Sequence, residues 1–198
     1  AVDEARHAAA AAGYLAAVVD ARIDRSADPV VVTLDVDTGA ATRIASVRIV
    51  VTGPATTDVP LGTDTIATLT RDWSLPEGEI FRQSAWTSAK ERALATLSGT
   101  VYAAARIERS EAAIDPERRS ADLMVALASG PAFRFGHFEI TGLSKYDPSL
   151  VRNYSTIAPG EPYSVTVLNQ YVRRLNASGY FASVQARIDP DTTHPEEA

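Results

Sequence analysis

The chain has 198 residues, 45% of them apolar, with a net charge of −6 and an isoelectric point near 5.1. That length leaves room for two domains of ordinary small size. The acidic balance argues against a nucleic-acid partner, which needs a concentrated basic face. The absence of cysteine rules out disulfides and thiolate metal sites. No apolar run in the sequence approaches the roughly 20 residues of a membrane-spanning helix.

In chain order, residues 2–12 read as a helix, and Tyr14 to Asp24 and Val30 to Asp37 as strands. In the second of these Val30, Val32, Leu34 and Val36 share one face and Asp35 and Asp37 the other. Ala45, Val47, Ile49 and Val51 alternate as in a half-buried strand that closes at Thr52-Gly53. The Thr-rich stretch from Pro54 to Thr70 offers only Ile66 and Leu69 as an apolar edge, and predicts a short helix within 62–70. Residues 82–98 predict a longer helix with Trp86, Ala89, Ala93 and Leu97 on one stripe, stopped by Gly99. A strand is expected over 101–109 and a polar loop over 110–119 around Asp115-Pro116. A closing strand follows, in which Leu123, Val125 and Leu127 alternate.

The last third opens with a predicted strand, Phe133 to Thr141. Asp147-Pro148 has the form of a helix start, with Asp as N-cap and Pro at the first helical position. A stiff turn, Pro159-Gly160-Glu161-Pro162-Tyr163, precedes Ser164, which can cap a second helix carrying Val165, Leu168, Val172 and Leu175 on one side. Gly179 ends that helix, and Tyr180-Phe181 open a predicted strand running to Ile188.

This order of elements recurs. Ala-Arg-Ile followed by an acid occurs three times, with the Ile at 23, 107 and 188, so the copies are 84 and then 81 residues apart. Gly78-Glu79-Ile80-Phe81 and Gly160-Glu161-Pro162-Tyr163 match as Gly-Glu-x-aromatic, 82 residues apart. Gly53 and Gly142 each follow a Thr at the end of a strand-like run. Recurrence at this period means small domains in series rather than one fold around one active site. The fold class read from it is α+β: tandem units, each β-α-α-β-β, with two helices packed on a three-stranded sheet. The boundaries are 1–42 for the C-terminal part of a first unit, 43–130 for a complete middle unit, and 131–198 for a third unit lacking its closing strand. The expectation is therefore a fragment whose first and last units are incomplete.

Three motifs carry a resemblance to a known family: Phe135-Gly-His-Phe-Glu-Ile-Thr-Gly142, the turn Pro159 to Tyr163, and Leu175-Asn-Ala-Ser-Gly-Tyr-Phe-Ala-Ser-Val184. Together they resemble the POTRA (polypeptide-transport-associated) domain. The phrase Gly142-Leu-Ser-Lys-Tyr-Asp147 is similar to the last POTRA domain of TamA-like outer-membrane assembly factors. The resemblance spans the chain. In the middle unit Gly-Tyr-Phe is replaced by Gly99-Thr-Val-Tyr102, and the segment after Gly53 is longer than usual.

The resemblance implies a periplasmic module at the outer membrane of a Gram-negative bacterium, with a C-terminal membrane barrel absent from this fragment. It further implies unfolded outer-membrane or autotransporter clients, a TamB-like periplasmic partner, no catalytic residue and no cofactor. Two alternatives remain beside it: the POTRA region of a two-partner secretion transporter, and a structural spacer docking a periplasmic partner.

Candidate sites follow from sheet edges, whose unpaired N–H and C=O groups can accept another chain as an added strand. In the resembling family the exposed edge is the strand after the second helix. Here that strand is 101–109 and 181–188, with 15–23 in the partial unit, which places Ala105, Arg106, Ile107, Ala186, Arg187 and Ile188 at candidate binding edges. The reading has Arg facing solvent and Ile facing the helices.

Aligning Gly142 with Gly53 puts Phe138 and Ile140 on the core face. Phe133 and Phe135 then fall exposed on the other face, as candidate contacts between units. A bulge at Gly136-His137 would instead return both to the core. His7, His137 and His194 share no ligand spacing, and no phosphate loop or nucleophile elbow occurs, so no enzyme is expected.

Overall fold

The computed structural model describes residues 1–26 and 30–189; His194 and the Glu196-Glu197 pair lie outside them. The elements in order are α1 (Val2–Ala11), β1 (Val18–Asp24), β2 (Val31–Asp37), β3 (Arg43–Thr52), a 3-10 turn (Pro54–Thr56), α2 (Leu61–Arg71), α3 (Gln83–Ser98), β4 (Arg106–Asp115), β5 (Ser120–Ala128), α4 (Pro148–Asn153) and α5 (Val165–Ala177). The protein is α+β, and 43–130 runs β-α-α-β-β as the repeat predicts. Two compact units share the chain. The first is Ala1–Val50, Asp72–Arg92 and Arg109–Ala126; the second is Val51–Arg71, Ala93–Glu108 and the residues from Leu127 onward.

In the first unit β1 and β2 pair antiparallel, with Val19 opposite Val36, Ala21 opposite Leu34 and Ile23 opposite Val32. That register collects the apolar side chains on one face. Val19 is buried, and so is Ala9 of α1. On the other face Arg22 pairs with Asp35 at 3.3 Å. Further along, Trp73 and Trp86 meet edge to face at 6.1 Å, an arrangement favoured by the ring quadrupoles. The Trp73 indole N–H donates to the Leu75 carbonyl at 2.8 Å.

The larger sheet has the order β3-β5-β4, so the strand made last lies in the middle. Its inner row, Ala121, Leu123, Val125 and Leu127, is at most 2% exposed, as a central strand under a helical layer requires.

In the second unit the Thr-rich α2 buries Leu69 and half-buries Ile66, and its N-terminal turn is seated by close backbone approach. A Cβ on Gly62 would stand 2.0 Å from the Ala55 carbonyl oxygen, so only glycine lets the helix seat on the 3-10 turn. That turn is pinned from two sides. The Ser129 hydroxyl accepts from the Ala55 N–H at 3.2 Å and donates to the Gly130 carbonyl at 2.9 Å. Tyr102, fully buried, donates its hydroxyl to the Asp58 carboxylate at 2.7 Å.

A separate core gathers Phe133, Phe135, Ile157, Tyr163, Leu168, Tyr171 and Leu175. Asp147 caps α4 as expected, accepting from the Ser149 N–H at 2.7 Å. That bond holds its carboxyl below the usual range. Ser164 occupies the N-cap position of α5, but its side chain makes no capping bond.

Several sequence expectations are corrected. The strand placed at 101–109 is β4, 106–115: Val101 and Tyr102 turn inward, and the Ala105 N–H closes a turn on the Tyr102 carbonyl at 2.9 Å. The loop placed at 110–119 is correspondingly only the bend after Asp115. An outer strand exposed on both faces can be as polar as Arg106 to Glu111, which hides it from a search for alternation.

The strands placed at 133–141 and 181–188 form no ladder; the one bridge there joins Arg134 and Pro162. Sheet order supplies the reason. In 43–130 the first and fourth elements each pair with the central β5 and not with each other. Their counterparts at 133–141 and 181–188 have no such strand between them among the described residues.

Tyr102 generates a test. Burial, with the hydrogen bond to and the negative charge of Asp58 adding to it, pushes the Tyr102 phenol well above its usual range. A folded-state pKa raised in this way contributes stability present below about pH 10, the unfolded value, and lost as pH climbs through the folded value. Tyr102→Phe keeps the ring but removes a bond to a charged acceptor. It should cost about 1.5–3 kcal/mol in urea unfolding at neutral pH, and its stability should fall less steeply above pH 10 than that of the unsubstituted protein.

Candidate protein-binding edge

Among the described residues β4 is an outer strand, with β5 on one side and no strand on the other. Arg106 and Ile107 are its first two residues, Arg106 exposed and Ile107 half-buried; Ala105 stands one residue before the strand, its N–H used in a turn. The edge is charged in alternating sign and largely paired along itself: Arg106 with Glu108 at 3.5 Å, Arg109 with Glu111 at 2.7 Å. The Glu108 carboxylate also accepts from the Thr52 hydroxyl at 3.1 Å. Exposed pairs of this kind add little stability, but an edge bearing charges resists stacking on a copy of itself.

The other outer strand, β3, has its free side occupied at its head. The Ile44 N–H donates to the Glu79 carbonyl at 2.9 Å, and the Gly78 N–H to the Ile44 carbonyl at 2.9 Å. Farther along, the Val47 N–H reaches the Glu77 carboxylate at 3.4 Å. Of the two edges, β4 is the one that the backbone of the described residues leaves open.

The copies of Ala-Arg-Ile-acid are not equivalent in structure. Arg22 and Ile23 lie in β1, where Ile23 is 56% exposed rather than turned to a helix. Ala186 and Arg187 are exposed, and Ile188 is half-buried, in a segment without a ladder. Ile188 lines an open apolar hollow of about 420 Å³ with Gly99, Ala103, Tyr163 and Val165. The backbone of this segment is held by Asn176, which lies inside the motif running from Leu175 to Val184. The Asn176 amide accepts from the Val184 N–H at 2.9 Å and donates to the Val184 carbonyl at 3.3 Å, standing in for a strand partner. The motif includes both residues, but nothing in its spacing says that the Asn176 side chain bonds the Val184 backbone eight residues on.

The exposed placement of Phe133 and Phe135 is corrected as well, in favour of the core placement that a bulge at Gly136-His137 would give. They are 0% and 5% exposed, in the core with Tyr163 and Tyr171, not on an open face. Phe135 meets Tyr163 edge to face at 5.4 Å, and Ala103 and Ala104 pack against the same cluster. The cause is a change of phase. Phe133 and Phe135 are buried, then Gly136, Phe138 and Ile140 are half-buried, so odd positions point inward before Gly136-His137 and even ones after it. In β3 the same shift falls at Ala45-Ser46, between buried Ile44 and half-buried Val47.

Two substitutions check this placement. Phe133→Ala should cost about 3–5 kcal/mol, the range for emptying an aromatic core position, where an exposed Phe would cost no more than about 0.5. Asn176→Ala should cost about 1 kcal/mol. It should speed hydrogen exchange at the Val184 amide while leaving α5 as protected as before.

Comparison with known proteins bears on the fold. Residues 133–196 match the POTRA family, described as the surface antigen variable number repeat. No curated protein matches the chain. Among solved structures it is similar to POTRA domains 3–5 of BamA from Haemophilus influenzae, at 21% identity and a TM-score of 0.61, over 96% of this chain and 72% of that one. It is also similar to BamA from Haemophilus ducreyi lacking POTRA domains 1–3, at 15% identity and a TM-score of 0.59, over 78% of this chain and 27% of that one. Among the described residues no helix is long and apolar enough to cross a membrane. The chain therefore has the fold of POTRA domains in series.

Proposed function

We propose that this chain is the periplasmic POTRA module of an outer-membrane protein assembly or translocation factor, and that it takes up extended segments of other chains by strand addition at β4. The observation that carries the reading is the asymmetry of the larger sheet: β3 is closed at its head by the chain's own backbone, and β4 is open. Strand addition draws its affinity from main-chain hydrogen bonds and asks little of the sequence. That suits a protein meeting many unfolded barrel precursors, including autotransporters. On this reading the module stands at the periplasmic face of the outer membrane of a Gram-negative bacterium, ahead of a membrane barrel. The phrase around Tyr146 favours a TamA-like factor working with a TamB-like periplasmic partner. The division of the chain into 1–42, 43–130 and 131–198 belongs to the same proposal.

Alternate N–H groups of β4 point to β5 and outward. Proline placed at Arg109 and at Ser110, one at a time, therefore removes one bond of each kind. The variant that keeps the unsubstituted unfolding midpoint has lost an outward N–H, and it should lose capture of barrel-strand peptides. Photo-crosslinkers at Arg106 and Glu108 in cells should trap nascent barrel proteins, while one at Asp122 on the central β5 should not. Undiminished capture by the stable proline variant, with no crosslinks from β4, would discard the edge.

A further inference from the structure

One arrangement of backbone occurs twice, 91 residues apart in the strand it serves. At the head of β3, Thr42 and Ile44 are buried and Arg43 between them is exposed. Arg43 forms an isolated bridge with Ile80. The Phe81 N–H donates to the Thr42 carbonyl and the Ile44 N–H to the Glu79 carbonyl, both at 2.9 Å. The Arg43 guanidinium donates to the Gly78 carbonyl at 2.7 Å. At the head of the next repeat Phe133 and Phe135 are buried and Arg134 is exposed. Arg134 bridges Pro162. The Tyr163 N–H donates to the Phe133 carbonyl at 3.0 Å and the Phe135 N–H to the Glu161 carbonyl at 2.8 Å. The Arg134 guanidinium donates to the Gly160 carbonyl at 2.8 Å. Gly78 and Gly160 have φ of 85° and 86°, the left-handed geometry that turns each carbonyl toward its arginine.

Each of these heads is also tied to the repeat before it. The Thr42 N–H donates to the Gly13 carbonyl at 2.9 Å, just beyond the exit of α1, and the Phe133 N–H to the Val101 carbonyl at 2.6 Å, just beyond the exit of α3. The helix-exit glycines are seated against the following repeat. A Cβ on Gly13 would lie 2.4 Å from Ile80 Cγ2, and one on Gly99 would lie 3.2 Å from Val165 Cγ1. The Val165 N–H, opening α5, donates to the Gly99 carbonyl at 3.1 Å. The first set of contacts lies wholly within the first compact unit and the second wholly within the second, so neither depends on how the units are arranged.

We infer that the Gly-Glu-x-aromatic turn and the arginine facing it form a clasp that locks the head of each repeat to the helix exit of the repeat before, fixing the orientation across both junctions. A junction made of one covalent connection swings freely. These junctions add backbone bonds on both sides of a three-residue stretch whose outer side chains are buried, and an arginine that closes the turn from solvent. Gly-Glu-x-aromatic is thus a coupling motif at each junction, each copy acting with its Arg-bearing strand head inside one compact unit.

The natural absence of cysteine permits a direct test by pulsed electron-spin distance measurements on the full chain. One spin-label pair at Asp20→Cys and Glu91→Cys spans the first junction, and one at Asp64→Cys and Arg173→Cys spans the second. All four sites are exposed. Each pair should give a narrow distance distribution. Arg43→Ala should broaden the first pair and leave the second unchanged. Arg134→Ala should do the reverse, and Arg→Lys at either site, which keeps one donor, should retain the narrow form. Both arginines are exposed, so unfolding midpoints should stay close to that of the unsubstituted protein. A broad distribution for either pair in the unsubstituted chain, or unchanged widths in both Ala variants, would overturn the clasp.

Discussion

The larger sheet depends on a strand that arrives last. Among the described residues β5 is the one strand that both β3 and β4 touch, so the order β3-β5-β4 makes the sheet an all-or-none assembly, in which neither outer strand has a ladder until the chain has run through α2, α3 and β4. The apolar load is distributed accordingly. The inner row of β5 is almost fully buried, while β4 is polar and exposed along most of its length. The non-local pairing that results, from about residue 43 to residue 128, is costly in loop-closure entropy. The helices between supply the apolar surface that offsets it.

The same constraint explains what happens where the central strand is not among the described residues. At 133–141 and 181–188 the sequence has the composition of strands, and the side chains pack as strand side chains would: Phe133, Phe135, Phe181, Val184 and Ile188 all contribute to one core. The hydrogen-bonded ladder is what is missing. Backbone polar groups need partners all the same, and local substitutes serve some of them: Asn176 for Val184, and the turn at Gly160–Tyr163 for Phe133 and Phe135. Packing and pairing are thus separable here.

Much of this was legible in the sequence because it rests on local chemistry. The helix of 83–98, the Asp147 cap and the closing strand through Leu123, Val125 and Leu127 follow from periodicity and capping alone. The recurrence of Gly-Glu-x-aromatic was visible too, though not that each copy faces an arginine. The misses have physical causes. β4 lacks alternation because nothing buries either face fully. Phe133 and Phe135 were placed outward because a strict period of two was carried across Gly136-His137, where the chain shifts phase. The burial of Tyr102 beside Asp58 joins residues 44 positions apart, beyond any local pattern. Of the candidate edge residues, Arg106 and Ile107 do begin an outer strand, whereas 186–188 lie where no ladder forms.

A sheet with two open edges would be an aggregation hazard, and one with none could not accept a strand. The protein resolves this by treating its edges unequally. On the first strand of a repeat, the Gly-Glu-x-aromatic turn consumes outward N–H and C=O groups at the head, and it does so at Phe133–Phe135 even without a ladder behind it. Closure of that edge is therefore a local property of the repeat, independent of the sheet. Among the described residues the fourth element has no such backbone cover, and β4 carries instead exposed charges of alternating sign along its length, one of the ways in which an outer strand is kept from being a flat apolar edge. One edge of the sheet is thus covered at its head by backbone and the other by charged side chains, so the two edges differ in chemistry as well as in position.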